Sequence, residues 1–152
     1  MASDETQIRA LLARMAAGYP AKDAAQIMAD FAPGLVSFSL APPLVTRAGD
    51  LSDIGGGRKV DMSTAAGVQE WLNGFGDAAF EYELRDLEVA VGGDVAFAHG
   101  LARMGGAGQF SMWLRVTFGL RKSGGAWRIT HAHESVPFYM DGDFRAAADL
   151  TP

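Results

Sequence analysis

Ile8, Leu11, Leu12 and Met15 recur at the spacing of one helical face, with Ser3 placed to cap, Asp4 and Glu5 in the first turn, and Gly18 and Pro20 behind as stop signals. This pattern predicts a first helix. Asp23 to Gln26 reads as a capping-box variant that opens a second, shorter helix through Ile27, Met28 and Phe31, closed by Pro33-Gly34. A strand is expected over Gly34 to Leu40. Residues 41–62 carry prolines, glycines and scattered charge without a period, which reads as a long loop, either a lid or a disordered excursion. Ser63 is placed to cap a third helix through Val68, Trp71, Leu72 and Phe75. After Gly76 the period drops to two. Strands are expected over Phe80–Val91, Val95–Met104, Phe110–Lys122 and Ala126–Phe138, separated by glycine turns, as an antiparallel meander. Helices first and strands afterwards give an α+β class, with three helices packed on one face of a curved sheet in a single domain spanning 1–152.

Composition narrows the chemistry. The 152-residue chain carries a net charge of −5, three histidines and no cysteine. The missing cysteine excludes disulfide scaffolds, thiol nucleophiles and thiolate metal sites. An acidic chain without a Lys/Arg run does not suit nucleic acid or an anionic membrane surface. No apolar run reaches the ~20 residues of a membrane span, and the acidic start is unlike a signal peptide, so the expected location is cytoplasmic.

Strand alternation then sorts the polar residues. Phe110, Met112, Leu114, Val116, Phe118 and Leu120 share one face, and Trp113, Arg115 and Thr117 the other. A two-residue Gly124-Gly125 turn would pair Leu120 with Ile129 and set Arg115 opposite Glu134, whereas a three-residue turn would set Arg115 opposite His133. The first pairs apolar with apolar and opposite charges, and is preferred. Under it the Trp113, Arg115, Thr117, Thr130 and Glu134 face is pocket-like, joined by the Phe97, His99, Leu101 and Arg103 row. His99, Arg103, Arg115 and Glu134 are then the convergent polar groups of a mostly apolar pocket.

Trp113-Leu114-Arg115-Val116-Thr117, together with the run from Gly125-Ala126-Trp127 through His131-Ala132-His133-Glu134 to Pro137-Phe138, resembles the C-terminal signature of SnoaL-like proteins. These belong to the nuclear-transport-factor-2-like, or ketosteroid-isomerase-like, superfamily. The likeness extends to Ser39-Leu40-Ala41-Pro42-Pro43-Leu44, Arg85-Asp86-Leu87, Gly93 to Phe97 and Met140-Asp141-Gly142. It implies a cone of three helices and a strongly bent antiparallel sheet around a cavity, and a homodimer through the outer sheet face, which the Phe110–Leu120 row would supply. It also implies a general-base Asp on the first strand, where this chain has Ser39, and an oxyanion donor near Met15, with Tyr19 close by. A weaker resemblance to kinase association domains rests on the Trp…His-x-His strand end and suggests arginines in the cavity that hold an acidic ligand.

The candidates follow. His99 or Glu134 would move the proton, with Arg115 and Arg103 stabilising negative charge. Arg115–Glu134 reads most simply as a cross-strand ion pair, and His99 equally as a core histidine. His131 and His133 stand ~6.6 Å apart on one face, suited to an acid–base pair or two metal ligands, with structural imidazoles the preferred reading. Phe38, Ser39, Trp71, Trp113 and Thr117 complete the expected ligand-binding set. The expected protein is a cavity protein for a small, partly apolar carbonyl compound, either a cofactor-independent isomerase, dehydratase or cyclase, or a binding or assembly module that lost the first-strand acid. No metal or cofactor is expected.

Overall fold

The computed structural model describes residues 2–106 and 108–152. Helix α1 spans Asp4–Gly18, with Ser3 accepting from the Thr6 amide, as its sequence signals require. Helix α2, Ala24–Met28, is capped by Asp23, which accepts from the Gln26 amide. The reciprocal half of a capping box is absent, because the Gln26 amide side chain donates instead to the Arg14 carbonyl. The second helix stops three residues short of Phe31, which already belongs to strand β1, Phe31–Phe38. Pro33 and Gly34 fall within the register irregularity of β1, where a missing backbone donor disrupts no ladder bond.

The 41–62 segment is more structured than its lack of period suggested. It contributes β2, Thr46–Arg47, which extends the sheet alongside β1, and a hairpin of β3, Ser52–Gly55, and β4, Arg58–Val60. The glycine tract makes that hairpin's turn, with Gly56 and Gly57 at φ +63° and +77°, the left-handed pair such turns require. Helix α3, Ala65–Asn73, is capped by Thr64 and not by Ser63, whose hydroxyl donates to Asp61. It follows β1–β4, so the helices do not all precede the strands.

Strands β5, Phe80–Gly92, β6, Val95–Gly106, β7, Phe110–Ser123, and β8, Ala126–Ser135, form the meander. The sheet runs β2-β1-β8-β7-β6-β5. Its β1–β8 pairing is parallel, which makes an otherwise antiparallel sheet mixed. The apolar stripe of α1 (Ile8, Leu11, Leu12, Met15) shares a core with Leu114, Val116, Phe118 and Leu120. The Phe110–Leu120 row therefore faces the helices, contrary to its expected place on the outer face, because only that row can cover the stripe of α1.

One irregularity decides the rest. Next to the turn, Leu120 pairs with Ile129 as expected, but one step later Gly119 pairs with His131, so Thr130 is an extra residue in β8. Beyond the bulge Val116 faces Glu134 and Arg115 faces Ser135. Gly119 permits this close approach, since a Cβ there would lie 3.2 Å from the His131 Cβ.

A second glycine position gives a sharp test of α3's placement. A Cβ on Gly67 would lie 1.9 Å from the Asp61 carbonyl oxygen, which receives the Thr64 hydroxyl hydrogen bond. Gly67→Ala is expected to destabilise the fold by about 1–3 kcal/mol through forced backbone displacement. Gly34→Ala, with open space at its Cβ, should change stability far less. Urea denaturation of both variants checks this, and equal losses would refute the steric account.

Candidate functional site

Between the concave sheet face and the helices lies a cavity of about 390 Å³. Its wall is mainly aromatic and methionine side chains, with Trp71 and Phe75 from α3, Tyr82 from β5, Phe110 and Phe118 from β7, and Met15, Met28, Met62, Met104 and Met112. Methionine adapts its shape to a guest, so this wall suits more than one apolar outline. The 39–62 stretch supplies Ser39, Leu40, Ala41, Thr46, Ser52, Asp53, Ile54 and Met62, of which exposed Leu40 and Asp53 mark the rim.

Glu134 is the acid set into this wall. The bulge at Thr130 turns Ala132 and Glu134 inward, where both line the cavity. Burial raises its carboxyl to about 7 from an ordinary 4.5, with no compensating hydrogen bond or cation among the described residues. Two phenols accompany it. Tyr19, the residue that ends α1, stacks on Tyr82 with ring centroids 4.2 Å apart and planes 15° from parallel. Burial raises both hydroxyls above the usual phenol range, and the charge of Glu134 raises them further. Each therefore remains a neutral O–H donor near the carboxylate. Trp71 meets Tyr19 edge-on at 6.4 Å and braces the pair.

Hydroxyls gather at another part of the wall. Ser37 pairs with Thr46 across β1–β2 and with Ala132 across β1–β8. Ser37, Ser39, Thr46 and Ser52 all line the cavity. Ser39 donates to the Ala41 carbonyl at 3.0 Å. Thr46 is 4% exposed, and among the described residues its Oγ1 has no hydrogen-bond partner. A buried, unpaired hydroxyl costs about 1–3 kcal/mol relative to a paired one.

Most of the expected site residues lie on the opposite, outer face of the sheet. His99 pairs in register with Thr117, Leu101 with Arg115, and Arg103 with Trp113. The His99 side chain is 48% exposed, with Nε2 3.5 Å from Glu88. Arg103 donates to Glu81 at 2.7 Å and Glu83 at 3.4 Å. Arg115 donates to the Ser135 hydroxyl at 3.0 Å and forms no pair with Glu134, from which the bulge separates it. Trp113 lies beneath the Arg85 guanidinium at 5.4 Å. His131 donates Nδ1–H to the Val36 carbonyl, 2.7 Å away, and Phe38 touches His131 and His133 edge-on at 4.7 and 5.2 Å. Of the sequence candidates, the structure brings Glu134, Ser39 and Trp71 to the cavity. His99, Arg103, Arg115, Trp113, Thr117, Phe38, His131 and His133 are not there. No Arg, Lys or His lines the cavity among the described residues, against the arginine-lined expectation. Among those residues no group of three or more His, Asp or Glu could hold a metal ion, and no helix is long and apolar enough to cross a membrane.

The sequence profile of the SnoaL-like domain matches residues 8–139. An NTF2-like protein of unknown function from Pseudomonas putida KT2440 is 29% identical, with TM-score 0.78 over 97% of this chain and 96% of that one. An NTF2-like protein from Cytophaga hutchinsonii ATCC 33406 shares the fold at 11% identity and TM-score 0.61, over 88% of this chain and 98% of that one. So does Aln2 from a Streptomyces species, at 15% identity and TM-score 0.64, over 89% and 93%. Among curated proteins none matches the chain.

The buried acid makes stability depend on pH in a defined direction. The folded chain holds the Glu134 proton up to pH about 7, whereas the ordinary value is 4.5. Its contribution is therefore fully present below that ordinary value and is lost as pH rises through the folded one. Glu134→Gln should remove this decline and leave the variant more stable than wild type above neutrality. The gain should be on the order of 2 kcal/mol, allowing for solvation of the carboxylate by cavity water. Urea denaturation of both proteins across pH checks it, and parallel curves would refute the placement of the acid.

Proposed function

The chain belongs to the SnoaL-like domain family, and we propose that its cavity takes up a small, mostly apolar carbonyl compound on which Glu134 moves a proton without a cofactor. One observation carries this reading. A buried carboxyl lies on an apolar, aromatic-lined cavity wall, poised near neutrality by its burial, with no neutralising group among the described residues. Ionised, such a group is a stronger base than an ordinary carboxylate. It abstracts a proton from the carbon next to the carbonyl, and the electron pair moves to the carbonyl oxygen. Tyr19 and Tyr82, neutral donors in the same region, are suited to hold that developing enolate. Return of the proton to the same or a conjugated carbon completes an exchange or an isomerisation.

Ser39 favours a second reading. It stands where the family resemblance implies the first-strand acid, and it lines this cavity without any ionisable group. A binding module that keeps the cavity and catalyses nothing is the form that reading takes.

We further propose that two copies associate through the outer sheet face. Phe97 is 51% and Val95 47% exposed there, beside the His99–Arg103 row. Phe97→Glu should shift a dimer toward monomer in light scattering, and a monomeric wild type would refute this.

Catalysis has a direct assay. Deuterium uptake by 2-tetralone in heavy water, followed by NMR, should be accelerated by the wild type, with the rate rising through pH about 7 as Glu134 ionises. Glu134→Gln should lower that rate at least ~10²-fold. Tyr19→Phe or Tyr82→Phe should lower it by up to ~10², and His99→Ala, on the outer face, should leave it unchanged. Binding of the ketone without exchange supports the binding module, and loss of exchange in His99→Ala contradicts the proposed base.

A further inference from the structure

The cavity has a second polar feature that proton movement at Glu134 does not use. Thr46 lies in the wall with its hydroxyl sealed from water and unpaired among the described residues. Across the sheet it pairs with Ser37, which pairs in turn with Ala132, two residues before Glu134. The hydroxyl shelf and the acid thus belong to one concave surface, Thr46 two strand spacings from Ala132, ~9.6 Å, and Glu134 two residues further along β8, ~6.6 Å. A buried hydroxyl without a partner is uncommon in a folded protein, and a ligand is one of the partners that resolves it. One staggered step about χ1 carries the threonine hydroxyl to the position its methyl occupied and the methyl to that of the Cβ hydrogen, so the oxygen of Thr46 can change the direction it faces without backbone movement.

Charge sets the second condition. Among the described residues the ionisable side chains of the wall are Glu134, rim Asp53 and the two phenols, and none carries positive charge. An anionic guest would enter an apolar space beside a carboxylate with no cation to receive it.

We propose that Thr46 determines specificity in this cavity, hydrogen-bonding an oxygen of an uncharged ring compound other than its reacting carbonyl and thereby setting which carbon faces Glu134. The proposal rests on the reading of this cavity as the functional site. It predicts ligands that are neutral, hydrophobic over most of their surface, and oxygenated at a ring position. Carboxylates of the same skeleton are excluded.

The test compares matched probes by ligand-observed NMR titration. 6-Hydroxy-2-tetralone carries a second oxygen, 2-tetralone lacks it, and 6-carboxy-2-tetralone, ionised at neutral pH, carries a charge. Wild type should bind the hydroxylated probe about five- to tenfold tighter than 2-tetralone, the worth of one hydrogen bond, and should bind the carboxylate least. Thr46→Val, which keeps the shape and removes the hydroxyl, should abolish the oxygen preference with 2-tetralone binding unchanged. Thr46→Ser should retain the preference. Thr46→Val should also melt at or above the wild-type temperature, because it removes an unpaired hydroxyl, whereas a structural role for that hydroxyl would lower it. An oxygen preference that survives Thr46→Val overturns the proposal, as do tight binding of the carboxylate and a wild type that does not prefer the second oxygen. Where the preference survives, exchange of 2-tetralone that Thr46→Val retains and Glu134→Gln loses leaves the proton-moving reading standing while the Thr46 proposal falls.

Discussion

A single extra residue in β8 decides which side chains meet the cavity. Trp127 and Ile129 point into the core, and uninterrupted alternation would carry His131 and His133 inward after them and Glu134 outward. The bulge at Thr130 reverses that parity. Gly119 makes it sterically possible, and the Thr130 hydroxyl donates to the Gly119 carbonyl at 3.3 Å. The cavity thereby receives a carboxyl and loses two imidazoles, and His131 is left to tie β8 to β1 through the Val36 carbonyl.

The same reversal separates the charges. Arg103 and Arg115 lie on the outer face with carboxylate or hydroxyl partners, so neither holds Glu134 ionised. A solvated carboxyl beside an arginine would titrate low and serve only as an ion pair. Glu134 instead bears the desolvation unrelieved, and its stacked tyrosine neighbours stay neutral for the same reason. The reactivity proposed for this site is thus a consequence of which face of a strand a residue occupies.

That dependence explains what the sequence disclosed. The period of Ile8 to Met15, the caps Ser3 and Asp23, and the Gly124-Gly125 turn were all legible, because each rests on local geometry. The four-strand meander was legible from its period-two runs, and the resemblance supplied the family. The outer-face placement of His99, Arg103 and Arg115 was not legible, because strand alternation defines two faces without saying which one meets the helices. The burden of covering the α1 stripe settles that question, and it points to the all-apolar row. Glu134 was expected in the cavity beside Arg115 and is there without it. A glycine in mid-strand, Gly119, was the signal for a bulge. Tyr82 and Thr46 carry no local pattern that separates a cavity wall from ordinary core, and β2 is too short to show a period.

The most direct test is the ionisation of one group. In protein carrying ¹³C-labelled glutamate, the Glu134 carboxyl resonance, assigned by comparison with Glu134→Gln, can be followed through a pH titration. The bulged register predicts a midpoint at about 7. A midpoint near the ordinary 4.5 would place the carboxyl in solvent or beside a cation, and would contradict the account.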